Sequence, residues 1–277
     1  MAALKHETYI RASGRFPRID FPELQRYSPV MFYLAWRSIS IKYKQTLIGI
    51  GWALLQPIAT MVVFTVIFGK LANLPSEGVP YFMLTLTGIL PWQLFSQAVT
   101  NSTDSVVNEK AMITKIYFPR LILPCAAVLA SVTEFGIALL VLFGLMLVYR
   151  VSPGPYIWLS PLFILLALIL AMGVGLWLSA LNVRYRDVKY AVPFLLQLGW
   201  FVSPIGYSTH TVPADWRLAY MLNPMVSVIE GFRFCFLGGT FKLDWTAVLA
   251  STVFALLLFL GGLFFFRHTE RTFADVI

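Results

Sequence analysis

Six apolar stretches punctuate this chain, each closed by a charged or turn-rich break: 47–68, 81–98, 121–148, 158–181, 190–206 and 245–266. Crossing hydrocarbon as a helix takes about 20 apolar residues, because every backbone N–H and C=O must be satisfied internally where water cannot reach. Five of the stretches have that length or nearly so. The fifth is shorter, is interrupted by Pro193, Gly199 and Pro204, and runs into a half-apolar region before the last stretch. The pattern predicts an all-α integral membrane protein with six transmembrane helices.

Three shorter patterns lie between these stretches. Ser28-Pro29 reads as a helix start, with Ser at the N-cap and Pro at the first helical position, where its missing N–H costs nothing. Phe32, Trp36, Ile39, Tyr43 and Leu47 then recur at spacings of three and four, with Arg37, Lys44 and Gln45 off that stripe. This predicts an amphipathic helix lying along the membrane interface. The break 101–120 starts polar and ends richer in apolar residues than a solvated connector needs. Val106, Val107, Ile113, Ile116 and Tyr117 would let a short helix dock in a partner's groove, or pack on the chain's own helices. The connection 207–244 is too long and apolar for a simple loop. Asn223-Pro224 restarts a helix over 225–237, which ends at Gly238-Gly239. Thirteen residues rise only about 20 Å, so short re-entrant helices are expected before the last span.

Composition strengthens the membrane reading: 58% of the 277 residues are hydrophobic and 12% charged, against about 25% charged in soluble chains. The first 28 residues are charged and hold Pro17 and Pro22, so no cleavable signal peptide is expected. Of the 21 Lys and Arg, eight precede residue 47, three lie in 101–120, three in 182–189 and two follow residue 266. Lys70, Arg150, Arg217, Arg233 and Lys242 fall in the alternate connections. Because cytoplasmic segments hold the positive excess, both termini are expected in the cytoplasm. The net charge of +8 is then a topology signal, and nothing here resembles a base-reading module.

Candidate chemistry is sparse. His6, His210 and His268 are scattered and form no cluster of metal-ligand spacing, and no Ser/His/Asp arrangement can be assembled. Cys125 and Cys235 fall near opposite membrane faces, too far apart to bridge. Gly69-Lys70 has Phe64 where a phosphate loop needs its first glycine and Leu71 where it needs Ser or Thr. The expectation is a chain with no catalytic residue, no metal and no ATP site of its own.

Residues suited to binding are more telling. Arg37, Lys42 and Lys44 could meet an anionic head group while Tyr43 and Trp52 stack against sugar or lipid; the alternative is a plain membrane anchor. Glu134 is the carboxylate in the interior of a span, costly enough there to call for a buried partner or a water-filled path, and Ser and Thr neighbours could satisfy it. Trp92 and Trp200, with Tyr43, are candidates for stacking on sugar rings along a path. Glu230 and Arg233, three apart on one helical face, could pair, or form a surface pair of little consequence.

These residues together resemble a family. The run 43–49 leading to Trp52 and Gln56-Pro57, then 116–120 with Leu123-Pro124, then 182–187, and finally Asn223-Pro224 with Glu230 and Arg233 look like the permease subunit of ABC-2 type exporters. Within it they look most like the branch that exports lipid-linked polysaccharides such as O-antigen, capsule or teichoic acid. The likeness runs from Arg26 onward, in order.

The resemblance implies a cytoplasmic tail (1–28) followed by one transmembrane domain (29–277). It also implies a homodimer with two separate ATP-binding ABC subunits, which would hold the ATP and Mg. The coupling helix would lie on 105–120, with Glu109, Lys110, Ile113, Lys115, Ile116, Tyr117, Phe118 and Arg120 meeting the ATPase. Substrate would enter at Arg37, Lys42, Tyr43, Lys44 and Trp52 and pass Trp92, Glu134 and Trp200. It would leave at a gate holding Asn223, Pro224, Glu230 and Arg233. A bacterial inner-membrane location follows by the same resemblance. Two alternatives stay open: an ABC-2 permease for a small hydrophobic drug or lipid, and a self-contained channel or ion-coupled transporter.

Overall fold

The structure, a computed structural model, describes residues 21–44, 49, 51–238 and 241–273. The run 45–48 of the entry motif, Gly239 and most of the N-terminal tail lie outside the described residues. Among the described residues the regular structure is all helical, with no strand. In chain order the helices are α1 (Phe21–Arg26), α2 (Ser28–Lys44) and α3 (Gly51–Phe64), which continues as a π-helical stretch Thr65–Leu71. Then come α4 (Tyr81–Asn108), α5 (Lys110–Ile113), α6 (Ile122–Val148), α7 (Ser160–Arg184) and α8 (Val188–Val202). The short α9 (Ala214–Met221) and α10 (Pro224–Leu237) precede α11 (Trp245–Thr269).

α4 is the hub. It packs against α6, α7, α10, α3 and α8, while α11 lies on α7 and α2 on α6. Met83, Leu84, Leu86, Ile89, Leu90 and Ala98 are fully buried along it. At 28 residues it is about 42 Å long, enough to cross hydrocarbon, yet it also carries Thr85, Thr87, Gln93, Gln97 and Asn101. Neighbouring helices rather than lipid cover it, so its composition can be mixed. This is why the apolar pattern ends at residue 98 while the helix runs ten residues further.

Among the described residues, four helical segments are long and apolar enough to cross a membrane: Gly51–Leu71, Ile122–Val148, Ile157–Arg184 and Trp245–Thr272. The chain is a multi-pass membrane protein. The expected fifth span, α8, has only 15 residues, since the strand-like exit at Ser203 stops it just before Pro204, a residue that disfavours helix in its predecessor. Close crossings of α7 and α11 rely on small residues: a Cβ at Gly262 would stand 2.7 Å from the Gly173 carbonyl oxygen.

Candidate functional site

α2 is docked on α6 by its Leu34, Ala35 and Ile39, all buried, while Phe32, Tyr33, Trp36 and Ile41 point outward. The single expected stripe therefore splits: Ile39 belongs to the protein core and Phe32 and Trp36 to the opposite surface. A helix apolar on both faces, one for α6 and one for the membrane interface, produces a three-four spacing that cannot separate the two. The helix runs from Ser28, but the Tyr27 carbonyl already accepts from the Val30 and Met31 N–H groups, so Tyr27 and not Ser28 stands at the N-cap position.

Two ion pairs reinforce this docking. Lys42 Nζ reaches both oxygens of Glu134, at 2.8 and 2.7 Å, and Arg37 pairs with Glu109 at the end of α4. Glu134 thus has a partner, as a carboxylate within a span calls for, and it is a lysine from another helix and not the neighbouring Ser and Thr that could also satisfy it. Its side chain is 9% exposed and that of Lys42 50%. Two of the three cations expected to attract an anionic head group are already neutralised, and Lys44 is exposed. The Tyr43 phenol is pushed up to about 12, first by burial and then by the Glu134 carboxylate beside it, to which it hydrogen-bonds. Trp52, at the start of α3, is half exposed.

The expected coupling helix over 105–120 is broken. α4 ends at Asn108, Glu109 sits at the break, α5 makes one turn, and residues 114–119 run without regular helix before α6. Val106, Ile113 and Phe118 are buried in a cluster with Leu34, Leu121 and Phe273, so Ile113 and Phe118 help hold the chain's own helices together. Lys110 and Lys115 are exposed, as are Ile116 and Tyr117, the latter 77%. Arg120 donates to the Glu270 carbonyl and stands 5.9 Å from the Phe273 ring. The segment forms one wall of a cleft of about 410 Å³ whose other wall is Glu23, Arg267, Glu270 and Arg271.

The aromatic candidates meet one another. Trp92 is buried and stands edge-on to Trp200, ring centres 6.2 Å apart. Gly199 allows the approach, since a Cβ there would lie 2.7 Å from the Trp92 ring. Trp92 is therefore a packing residue between α4 and α8 rather than a free stacking surface. Both helices border an apolar groove of about 480 Å³ that reaches Asn223 and Pro224.

At the other end of the bundle, the Asn223 side chain accepts from the Met225 N–H at 3.0 Å and caps α10, with Pro224 at its first position, as the dipeptide predicts. Its amide also donates to Ser203 Oγ. Arg233 is fully buried, so its pair with Glu230 is an internal bolt and not the alternative surface pair. It donates to Glu230 at 3.1 Å and to the carbonyls of Tyr207, Ile205 and Leu84 at 3.0, 3.0 and 3.3 Å. A guanidinium suits this role because its planar fork serves several acceptors at once. Gly88 makes room: a Cβ there would meet the Ile205 carbonyl oxygen at 2.7 Å and the guanidinium at 3.1 Å.

Two polar cavities went unforeseen. One, of about 210 Å³, lies between α2, α4 and α6 and includes Ser38, Asn101, Asp104, Asn108 and Glu109; the other, of about 50 Å³, holds Tyr43, Trp52, Gln56, Gln93 and Gln97. Lys42 and Glu134 line both. Asn182, from the 182–187 motif, donates to the Thr103 carbonyl and to Asp104 at 3.1 and 3.2 Å, fixing α7 to this end of α4. The recurrence of polar residues every three or four positions from Gln93 to Asn108 was the available signal.

Comparison with known proteins agrees with this architecture. The family model described as ABC-2 type transporter matches residues 29–237. The chain is 26% identical to the O-antigen export system permease protein RfbA of Klebsiella pneumoniae over 242 residues, 87% of this chain and 92% of that protein. The RfbA of Myxococcus xanthus is 26% identical over 257 residues, 92% and 98% of the two chains. The polysialic acid transport protein KpsM of Escherichia coli is 24% identical over 255 residues, 90% and 96%. The chain belongs to the ABC-2 type transporter family, as a membrane transport subunit whose ATP is hydrolysed by a separate ATPase.

Proposed function

We propose that this chain is the permease of a polysaccharide exporter, working as a homodimer with two ATP-binding ABC subunits to move a lipid-linked, O-antigen-like polymer outward across a bacterial inner membrane. The observation that carries the reading is the near full-length match to relatives named for O-antigen export and polysialic acid transport. Both termini are cytoplasmic and six segments cross the membrane, with α4 and the short α8 completing the four that meet the apolar length alone. The exposed pair Ile116 and Tyr117 meets the ATPase. The outward aromatic face of α2 with Lys44 receives the lipid-phosphate end of the substrate, and the α10 segment held by Arg233 borders the exit. Apolar faces left open on α3 and α8 suit lipid and a second copy.

Deleting the chain from its host tests this reading. Surface polysaccharide should disappear and lipid-linked polymer should accumulate on the inner leaflet, with recovery on reintroducing the chain. Unchanged surface polysaccharide in the deletion strain would refute the assignment.

A further inference from the structure

Gln93, Gln97, Asn101, Asp104 and Asn108 share one face of α4, spaced by three or four residues. Asn101, Asp104 and Asn108 open into the wide cavity, and Gln93 and Gln97 into the narrow one. Since Lys42 and Glu134 line both, their ion pair is the partition. At about 210 Å³ the wide cavity has room for on the order of ten waters, the displacement volume of a sugar ring, whereas the narrow one takes only a few.

Its charge selects the guest. Glu109 is matched by Arg37 and Glu134 by Lys42. Asp104 takes only the Asn182 amide and has no cation beside it among the described residues. The wide cavity is therefore weakly anionic and repels phosphate. What it offers are amides, serine hydroxyls and carboxylate oxygens, which together donate to and accept from hydroxyl groups. Beyond the partition, Tyr43 and Trp52 supply flat apolar faces beside Gln56, Gln93 and Gln97.

We propose that this face of α4 is a hydrated lane for uncharged, hydroxyl-rich sugar units, and that the Lys42–Glu134 ion pair gates it between a sugar-sized chamber and a narrower one. The proposal rests on the polysaccharide reading. It divides the substrate: the anionic lipid end stays outside, near Lys44, and the sugar end enters.

Thiol labelling of the full-length chain in membranes, with Cys125→Ser and Cys235→Ala as background, tests it. The probes are methanethiosulfonates bearing a glucosyl, a sulfonate or a trimethylammonium group, each rate being taken relative to the exposed Tyr117→Cys. Asn101→Cys should react with the glucosyl probe at least tenfold faster than with the sulfonate. Gln97→Cys should react slowly, and at least tenfold faster once the partition is broken, by Glu134→Gln alone or with Lys42→Met. Equal or faster sulfonate labelling, labelling by the trimethylammonium probe alone, a silent Asn101→Cys, or Gln97→Cys rates indifferent to the partition would each overturn the lane. A silent lane in a chain that still exports polysaccharide sinks the lane alone. A lane that labels as expected in a chain whose deletion spares surface polysaccharide removes the sugar assignment.

Discussion

Lys42 and Glu134 carry the clearest lesson about single side chains. The carboxylate was legible as an anomaly within an apolar run, but its partner sits 92 positions away on a helix that reads as interfacial. Pairing across such separations depends on how α2 lies on α6, which no local spacing encodes. Removing one member leaves a charge in a mostly buried site, so Lys42→Met should lower stability by about 1–3 kcal/mol, discounted because the lysine is half exposed. The Lys42→Met/Glu134→Gln double variant should lose less, and thermal unfolding in detergent would reveal a non-additive pair. Additive losses would contradict the coupling. Tyr43 reports on the same contact. The native chain keeps its phenol proton to about 12 while an unfolded tyrosine releases it near 10. Stability is therefore unaffected below about pH 10 and falls from there to 12. The difference in phenolate absorbance between the native chain and Tyr43→Phe should show no titration near 10, and Glu134→Gln should bring it down. Arg233 makes the strongest demand. Arg233→Lys keeps the charge but not the fork, and should cost on the order of 2–4 kcal/mol, read as lost folded protein after extraction.

Among the helices, the sequence anticipated what depends on local chemistry. The Asn223-Pro224 start of α10 is legible because capping needs only neighbouring residues, whereas the first turn of α2 bonds to the Tyr27 carbonyl, one residue before the expected cap at Ser28. Where faces had to be assigned, the reading failed. Ile113 and Tyr117 lie in the same apolar-rich break, yet one is 8% exposed and the other 77%; the chain breaks at Glu109 and sets Ile113 in the cluster that holds Leu34 and Leu121, while Tyr117 stays outside it. This separates two variants. Ile113→Asp should destabilise the permease itself, since it buries a charge without a partner. Tyr117→Asp should leave folding intact and abolish capture of the ATPase by the purified permease. If Tyr117→Asp still captured the ATPase and exported normally, the docking role of this surface would be lost. α4 illustrates the opposite limit: a helix wrapped by its neighbours carries polar residues that hide its full length from an apolar pattern.

The whole molecule is an all-α membrane bundle built around α4, and that class was plain from hydropathy because the bilayer constrains backbone satisfaction so strongly. The orientation proposed from charge asymmetry makes its own prediction. Cysteines placed at Lys5 and His268 should be labelled only from the cytoplasm and one at Asp215 only from outside, and external labelling of either end would break the six-span scheme. The central claim is that this permease moves polymer only when driven by a separate ATPase. The most direct test is polymer translocation in proteoliposomes loaded with lipid-linked polysaccharide, with and without the ATPase subunits. ATP-dependent appearance of polymer on the far side, seen only with both subunits, is the predicted result. Translocation by the purified chain alone, or none with the active ATPase bound, would contradict it.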